Sequence, residues 1–196
     1  MDKFQSGKYK FSSVKPLFLI GNYVIGERGK EINILVDELI KYKVLIKDLI
    51  SREVSYSQRN ELVTISMYIA ANFELYDSFI NNIEIPFSKL QMFTRVNKKF
   101  LEKYRDYIIV YTLIFGNDKY KNIQDYLQMV ETSVDDSKNS DVKDIVEYEA
   151  GLTVNGIVVW KNKKDAILLT ALGEFKKVKL NEDVLIGQEI NANEKK

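Results

Sequence analysis

The hydrophobic period of this chain changes once, and that change limits what it can fold into. Up to about residue 130, apolar residues recur at intervals of three and four; after residue 151 they come in short runs separated by turn residues. Between the two lies ETSVDDSKNSDVKDIVEYE, residues 131–149, with seven acidic residues against two lysines, a net charge of −5. High charge with abundant Ser, Asp and Asn marks a linker, with room for a short helical stretch over 142–148. Two periods on either side of a linker predict an α+β chain. The expected order is a helical domain over 1–130, an acidic linker over 131–150 and a small β-barrel-like domain over 151–196.

Ile32, Leu35, Val36, Leu39 and Ile40 define one amphipathic helix, and Leu62, Ile65, Ile69, Phe73, Tyr76 and Ile80 a second. PFSKLQMF fits a third, with Pro86 near its first turn, where a missing N–H costs nothing. A long helix is expected from Asn97, a suitable N-cap, to Phe115, stopped at Gly116-Asn117. A last helix fits 120–129. PLFLIGNYVIG is either a hairpin turning at Gly21-Asn22 or a buried helix end, since five apolar residues do not distinguish the two. Residues 1–30 otherwise carry no assignment. In the β region, strands are expected at 157–160, 166–170 and 175–180, with 184–190 closing the sheet. Phe175, Val178 and Leu180 fail to alternate, which predicts a bulge near Lys176-Lys177. So small a β module has a marginal core and gains from a partner to pack on.

The long helix has two characters. At 100° per residue, Phe100, Tyr104, Ile108, Tyr111 and Phe115 fall within about 80° of one another and form a core stripe. The opposite arc carries Lys98, Lys99, Glu102, Lys103, Arg105 and Asp106 early, then Ile109, Val110 and Leu113. Early turns facing water and later turns enclosed is the layout of a recognition helix, and PFSKLQMF-TRV-NKKFLEKYRDY supplies helix, turn and helix in order. Residues 86–121 hold eight Lys/Arg and three acids, a net +5. Lys98, Lys99, Glu102, Lys103 and Arg105 are therefore candidate DNA-contacting residues, the lysines for phosphates and one or two side chains for base edges. The competing reading is a solvated helix face.

Lys+Arg of 29 against Asp+Glu of 28 leaves no overall field, so attraction to nucleic acid has to be local. The chain has no histidine and no cysteine, which removes the usual zinc ligands, the commonest general base and any disulfide. Glu74, Asp77 and Glu84 sit at ordinary helix-surface positions, and no nucleophile-base set or phosphate-cradling glycine loop is present. Neither catalysis nor a cofactor or metal is expected. The start lacks the apolar core of a signal peptide, and the apolar run 107–115 is too short to span a bilayer, so a cytoplasmic chain is expected.

Two resemblances add to this reading. Residues 70–127 resemble the C-terminal domain of the I-type alternative sigma factors, through Pro86, Leu90, Lys99, Leu101, Glu102, Arg105, Tyr107, Ile108, Ile109, Leu113, Ile114, Gly116, Tyr120 and Tyr126-Leu127. More loosely the similarity reaches back to about Glu31. Residues 156–190 look like the N-terminal domain of RsgI-type anti-sigma factors, through Gly156, Ile157, Val158, Val159, Ala166, Ile167, Leu168, Leu169, Thr170, Gly173, Glu174, Phe175, Val178, Gly187 and Ile190. Asp106 stands where the sigma family usually has a base, and Asn97 and Phe100 replace small hydroxyl residues.

The first resemblance implies recognition of the promoter −35 element, and the second implies a domain that binds and silences such a sigma factor. Together they imply a sigma/anti-sigma pair in one chain, with the β domain docked on the helical one. Nothing matches the sigma region that binds core polymerase, so neither transcription initiation nor transmembrane signalling is expected. A tether of about twenty residues holds the local partner concentration near millimolar. Trp160, a lone Trp at a strand end, is either an interface anchor or an ordinary core or rim residue, and Val159 and Leu172 are further interface candidates. The acidic tether either lies over Lys98, Lys99 and Lys103 or is simply solvated. The other class of function is an autonomous DNA-binding regulator whose β domain oligomerises it or binds a ligand.

Overall fold

The computed structural model describes residues 3–12, 22–132 and 153–193. The acidic segment thus falls almost wholly outside the described residues, as do its expected helical stretch and the first half of PLFLIGNYVIG. The second half of that stretch is no hairpin arm, because helix α1 (Asn22–Lys41) already includes it. After α1 come α2 (Ile46–Leu49), α3 (Tyr56–Ala71), α4 (Phe73–Asn82), α5 (Phe87–Thr94), α6 (Lys98–Lys103), α7 (Arg105–Phe115), a 3₁₀ turn (Asp118–Tyr120) and α8 (Lys121–Leu127).

The expected helix through Leu62 and Ile80 is two helices. Asn72 leaves helical geometry (φ −101°, ψ 107°), and its side chain accepts from Leu75 N–H to cap α4. The stripe is thereby broken: Phe73 is 86% exposed, while Leu75 and Phe79 turn inward. The expected helix from Asn97 to Phe115 is likewise two. Asn97 does cap its start, accepting from Lys99 N–H at 2.8 Å. Tyr104 (φ −108°, ψ 22°) then separates α6 from α7. Tyr104 is buried against the core, and Arg105 beside it donates to the Tyr42 carbonyl at 2.8 Å. The wet front and dry back are therefore separate helices.

All of residues 107–114 on α7 are buried, so α7 is the axis of the core. Helix α3 packs on it closely because small Ser66 lies between them, donating to the carbonyls of Leu62 and Ile108 at 2.8 and 3.2 Å. Helix α1 holds the C-terminal part through two carboxylates. Glu31 accepts from the backbone of Asn122 and Ile123 in the first turn of α8, and Glu38 accepts from the Tyr120 hydroxyl at 2.6 Å.

Two short strands were not expected. β1 (Tyr9–Phe11) pairs antiparallel with β2 (Met129–Glu131), tying residues near the start of the chain to those after α8. The C-terminal part is a four-stranded antiparallel sheet of β3 (Thr153–Lys161), β4 (Asp165–Leu169), β5 (Phe175–Lys179) and β6 (Glu189–Asn193), in the order β5-β4-β3-β6. It is open, with β5 and β6 as edges, and no closed barrel forms among the described residues. Closure is not needed to bury its apolar residues. Ile157, Val159, Ile167, Leu169 and Phe175 on one face join the helical core, while Val158, Ala166, Leu168 and Val178 on the other are covered by Val184.

The same two-sided burial explains the missing alternation in β5: Phe175 and Val178 face opposite cores, and the register with β4 is regular. The bulge lies instead on β3, between Val158 and Trp160. It allows Val159 and Trp160 both to serve the helix-facing side, with Trp160 opposite Ile167.

Candidate functional site

One close meeting of the sheet with the rest of the chain is the turn between β4 and β5. Thr170 shapes it: its carbonyl accepts from Gly173 N–H at 2.9 Å, its N–H donates to the Glu174 carbonyl at 2.9 Å, and its hydroxyl accepts from Glu174 N–H at 3.1 Å. Gly173 takes φ +74°, where a side chain is strained. A Cβ there would lie 2.6 Å from a carbon of the Phe11 ring and 2.9 Å from the Tyr111 hydroxyl.

Helical side chains take both carbonyls at the tip of this turn. Arg59 Nε donates to Leu172 O at 2.9 Å, and the Tyr111 hydroxyl donates to Gly173 O at 2.6 Å. Arg59 is buried; it also donates to the Val54 carbonyl and faces the Glu174 carboxylate at 3.5 Å. Phe175 meets Tyr107 edge to face at 5.8 Å between centroids, and Phe11 meets Tyr111 at 5.4 Å. Burial raises the Tyr111 pKa well above the usual tyrosine value, so its hydroxyl keeps the proton it donates.

A second contact joins α1 to the loop before β6. Gly187 (φ +86°) approaches so closely that a Cβ would lie 2.6 Å from Gly29 N and 2.7 Å from Ile25 O. Beside it Arg28 donates to Gly187 O at 3.3 Å, and burial lowers its pKa. In a third contact, Lys47 of α2 lies over the Trp160 ring at 4.3 Å.

Trp160 and Leu172 are half-buried and packed on the helical core, and Val159 is buried within it. The Lys98, Lys99, Glu102 and Lys103 side chains lie exposed on α6. Lys98 pairs with Glu102 at 3.6 Å, and Lys103 lies 4.9 Å over the Tyr104 ring. Arg105 is set apart from them: half-buried at the start of α7, it is held by the Tyr42 carbonyl and by Asp106 at 3.1 Å. Glycine 173 carries a sequence signal in the resemblance. Arg59 carries none, because it reads as one more polar residue on a helix, and Phe11 lies in the unassigned start.

The β region of this site belongs to a recognised class. Residues 154–192 match the family model of the anti-sigma factor N-terminus, RsgI_N. Over 115 residues the chain is 29% identical to RNA polymerase sigma factor SigI2 of Acetivibrio thermocellus, covering 58% of this chain and 43% of that protein. Over 104 residues it is 28% identical to RNA polymerase sigma factor SigI of Bacillus anthracis, covering 53% of this chain and 43% of that protein. This chain therefore joins a SigI-like region to an RsgI-type domain. The matches span less than half the length of the sigma factors. No solved structure matches the chain significantly. Among the described residues no helix is long and apolar enough to cross a membrane.

Proposed function

We propose that this chain is a transcription regulator in which a sigma-type helical module over 1–130 and an anti-sigma-type β module over 151–196, joined by the 131–150 linker, act as a docked pair. The observation that supports it is the Gly173 turn, whose two tip carbonyls are both bonded by side chains of α3 and α7. Buried carbonyls need such partners, so the turn and the helices complete one another. The helical module reads promoter DNA near −35 through a helix-turn-helix made of α5, the turn at Arg95 and α6. Lys98, Lys99 and Lys103 contact phosphates there, and Glu102 lies among them on the same helix.

The sheet contacts described above fall on β1, α1, α2, α3 and α7. The docked module thus restrains DNA binding by fixing α7, and with it the direction in which α6 leaves Tyr104. The test is a titration of the intact chain with a duplex carrying a promoter-type −35 element, repeated after the linker is cut near Lys138 and the β half removed. Removal should tighten binding tenfold or more. The triple variant Lys98→Ala, Lys99→Ala, Lys103→Ala should weaken it and lower the salt slope by about 2–3. Equal, sequence-selective affinity before and after cutting would overturn the restraint and favour an autonomous DNA-binding regulator.

A further inference from the structure

We infer that residues 3–12 are part of the docking surface: an arm laid along α3 that places Phe11 as the wall against which the glycine turn of an RsgI-type β module closes. This rests on the docked-pair reading above and adds a third component to it.

The arm is fastened to one stripe of α3. Tyr56, Asn60, Thr64 and Tyr68 are spaced four apart and therefore share a face. The Tyr56 hydroxyl donates to Phe11 O at 2.7 Å, and Asn60 Oδ1 accepts from Phe11 N–H at 3.1 Å. Thr64 Oγ1 meets both Tyr9 N–H and Tyr9 O at 3.1 Å, and Tyr68 meets Phe4 edge to face at 5.3 Å. Ser6 adds a bond to Glu61 at 2.6 Å. Among the described residues the arm's only strand partner is the three-residue β2, and a pairing that short is not stable by itself.

At the end of this arm Phe11 is fully buried, and its walls come from both modules: Tyr111 and Phe115 of α7 on one side, Gly173 on the other. With the β module gone, Phe11 would lose one wall to water. With the arm gone, Gly173 would face a gap beside Tyr111. Each therefore stabilises the other, and by linkage the coupling is equal in both directions. The surface selects its partner sterically, since only a turn without a Cβ at this position fits between the Phe11 ring and the Tyr111 hydroxyl. The kind of partner that fits is a tight turn with glycine at a positive φ and two successive free carbonyls.

The experiment uses the full chain with a protease site introduced near Lys138, cut after folding, and measures whether the two parts stay together on dilution. Three chains are compared: the parent, Phe11→Ala, and Thr64→Val, which removes both bonds to Tyr9 at nearly constant volume and touches no residue of the β module. The parent parts should remain associated. Phe11→Ala should raise the dissociation constant about a hundredfold, and Thr64→Val severalfold. In the uncut chain, Gly173→Ala should speed deuterium exchange at the Tyr9 and Phe11 amides. If the parent parts stay together and both arm variants hold as tightly, with Tyr9 and Phe11 exchange unchanged by Gly173→Ala, the arm is overturned while docking stands. Parent parts that separate at once would overturn docking and the arm together.

Discussion

Replacing Gly173 by alanine puts one methyl group between the sheet, the Phe11 ring and the Tyr111 hydroxyl. At φ +74° an L-residue costs about 1–2 kcal/mol in backbone strain. The new Cβ would also start 2.6 Å from a Phe11 ring carbon and 2.9 Å from the Tyr111 hydroxyl. Neither neighbour can move freely, because Phe11 and Tyr111 are both fully buried. Forcing a methyl into such a core costs about 1–3 kcal/mol more. The sum, about 2–5 kcal/mol, falls on the docked arrangement and not on the helices themselves. Urea unfolding followed in parallel by Trp160 fluorescence and far-ultraviolet circular dichroism measures it. With an m-value of about 2–3 kcal/mol/M for a chain of this size, the fluorescence midpoint should fall by about 0.7–2.5 M. The helical signal should fall later, separating two transitions that coincide in the parent. Coincident transitions shifted by less than about 0.3 M would show that the turn is not held as described.

Arg59→Met keeps the length of the side chain but leaves the Leu172 and Val54 carbonyls without their donor and Glu174 with Lys176 alone, and should destabilise the folded chain by about 2–5 kcal/mol in the same unfolding measurement. Arg59→Lys should recover only part of this, since one ammonium cannot reproduce a guanidinium bonding two carbonyls in different directions. Alkaline pH should also unfold the protein through its buried tyrosines. Burial pushes the Tyr42 pKa up to about 12 and raises those of Tyr107, Tyr111 and Tyr120 above the ordinary value near 10. The unfolded chain then ionises first, so the stability these groups give is complete below pH about 10 and is lost as pH rises through their folded values. Stability measured by urea titration should be flat with respect to these groups below pH 10 and fall between pH 10 and 12. Tyrosinate absorbance should lag behind that of a denatured sample, and superimposable titrations would refute it.

Local patterns in the chain were readable where a residue acts through its neighbours. Asn97 caps α6 as its position suggests, and Pro86 stands at the start of α5. The helical ends were harder to read. The left-handed residues that end segments are Lys43, Ile83, Arg95 and Gln128, none of them glycine. Gly116, which does look like a stop, has φ −86°, and its lack of a side chain matters because the Tyr76 ring packs on it. The change from helical to strand periodicity along the chain was legible in the residues alone, because periodicity is a local property, while the β1–β2 pairing was not.

Which residues bring the sheet and the helices together was decided by tertiary structure. Arg59 and Leu172 lie 113 residues apart, and no local pattern marks an arginine as the one whose charge will be buried among carbonyls. The β3 bulge and the two-sided burial of β5 have the same origin: the sheet sits between a helical core and its own covering loop. A residue's face is set by what lies on both sides of it, and one side here comes from a distant part of the chain.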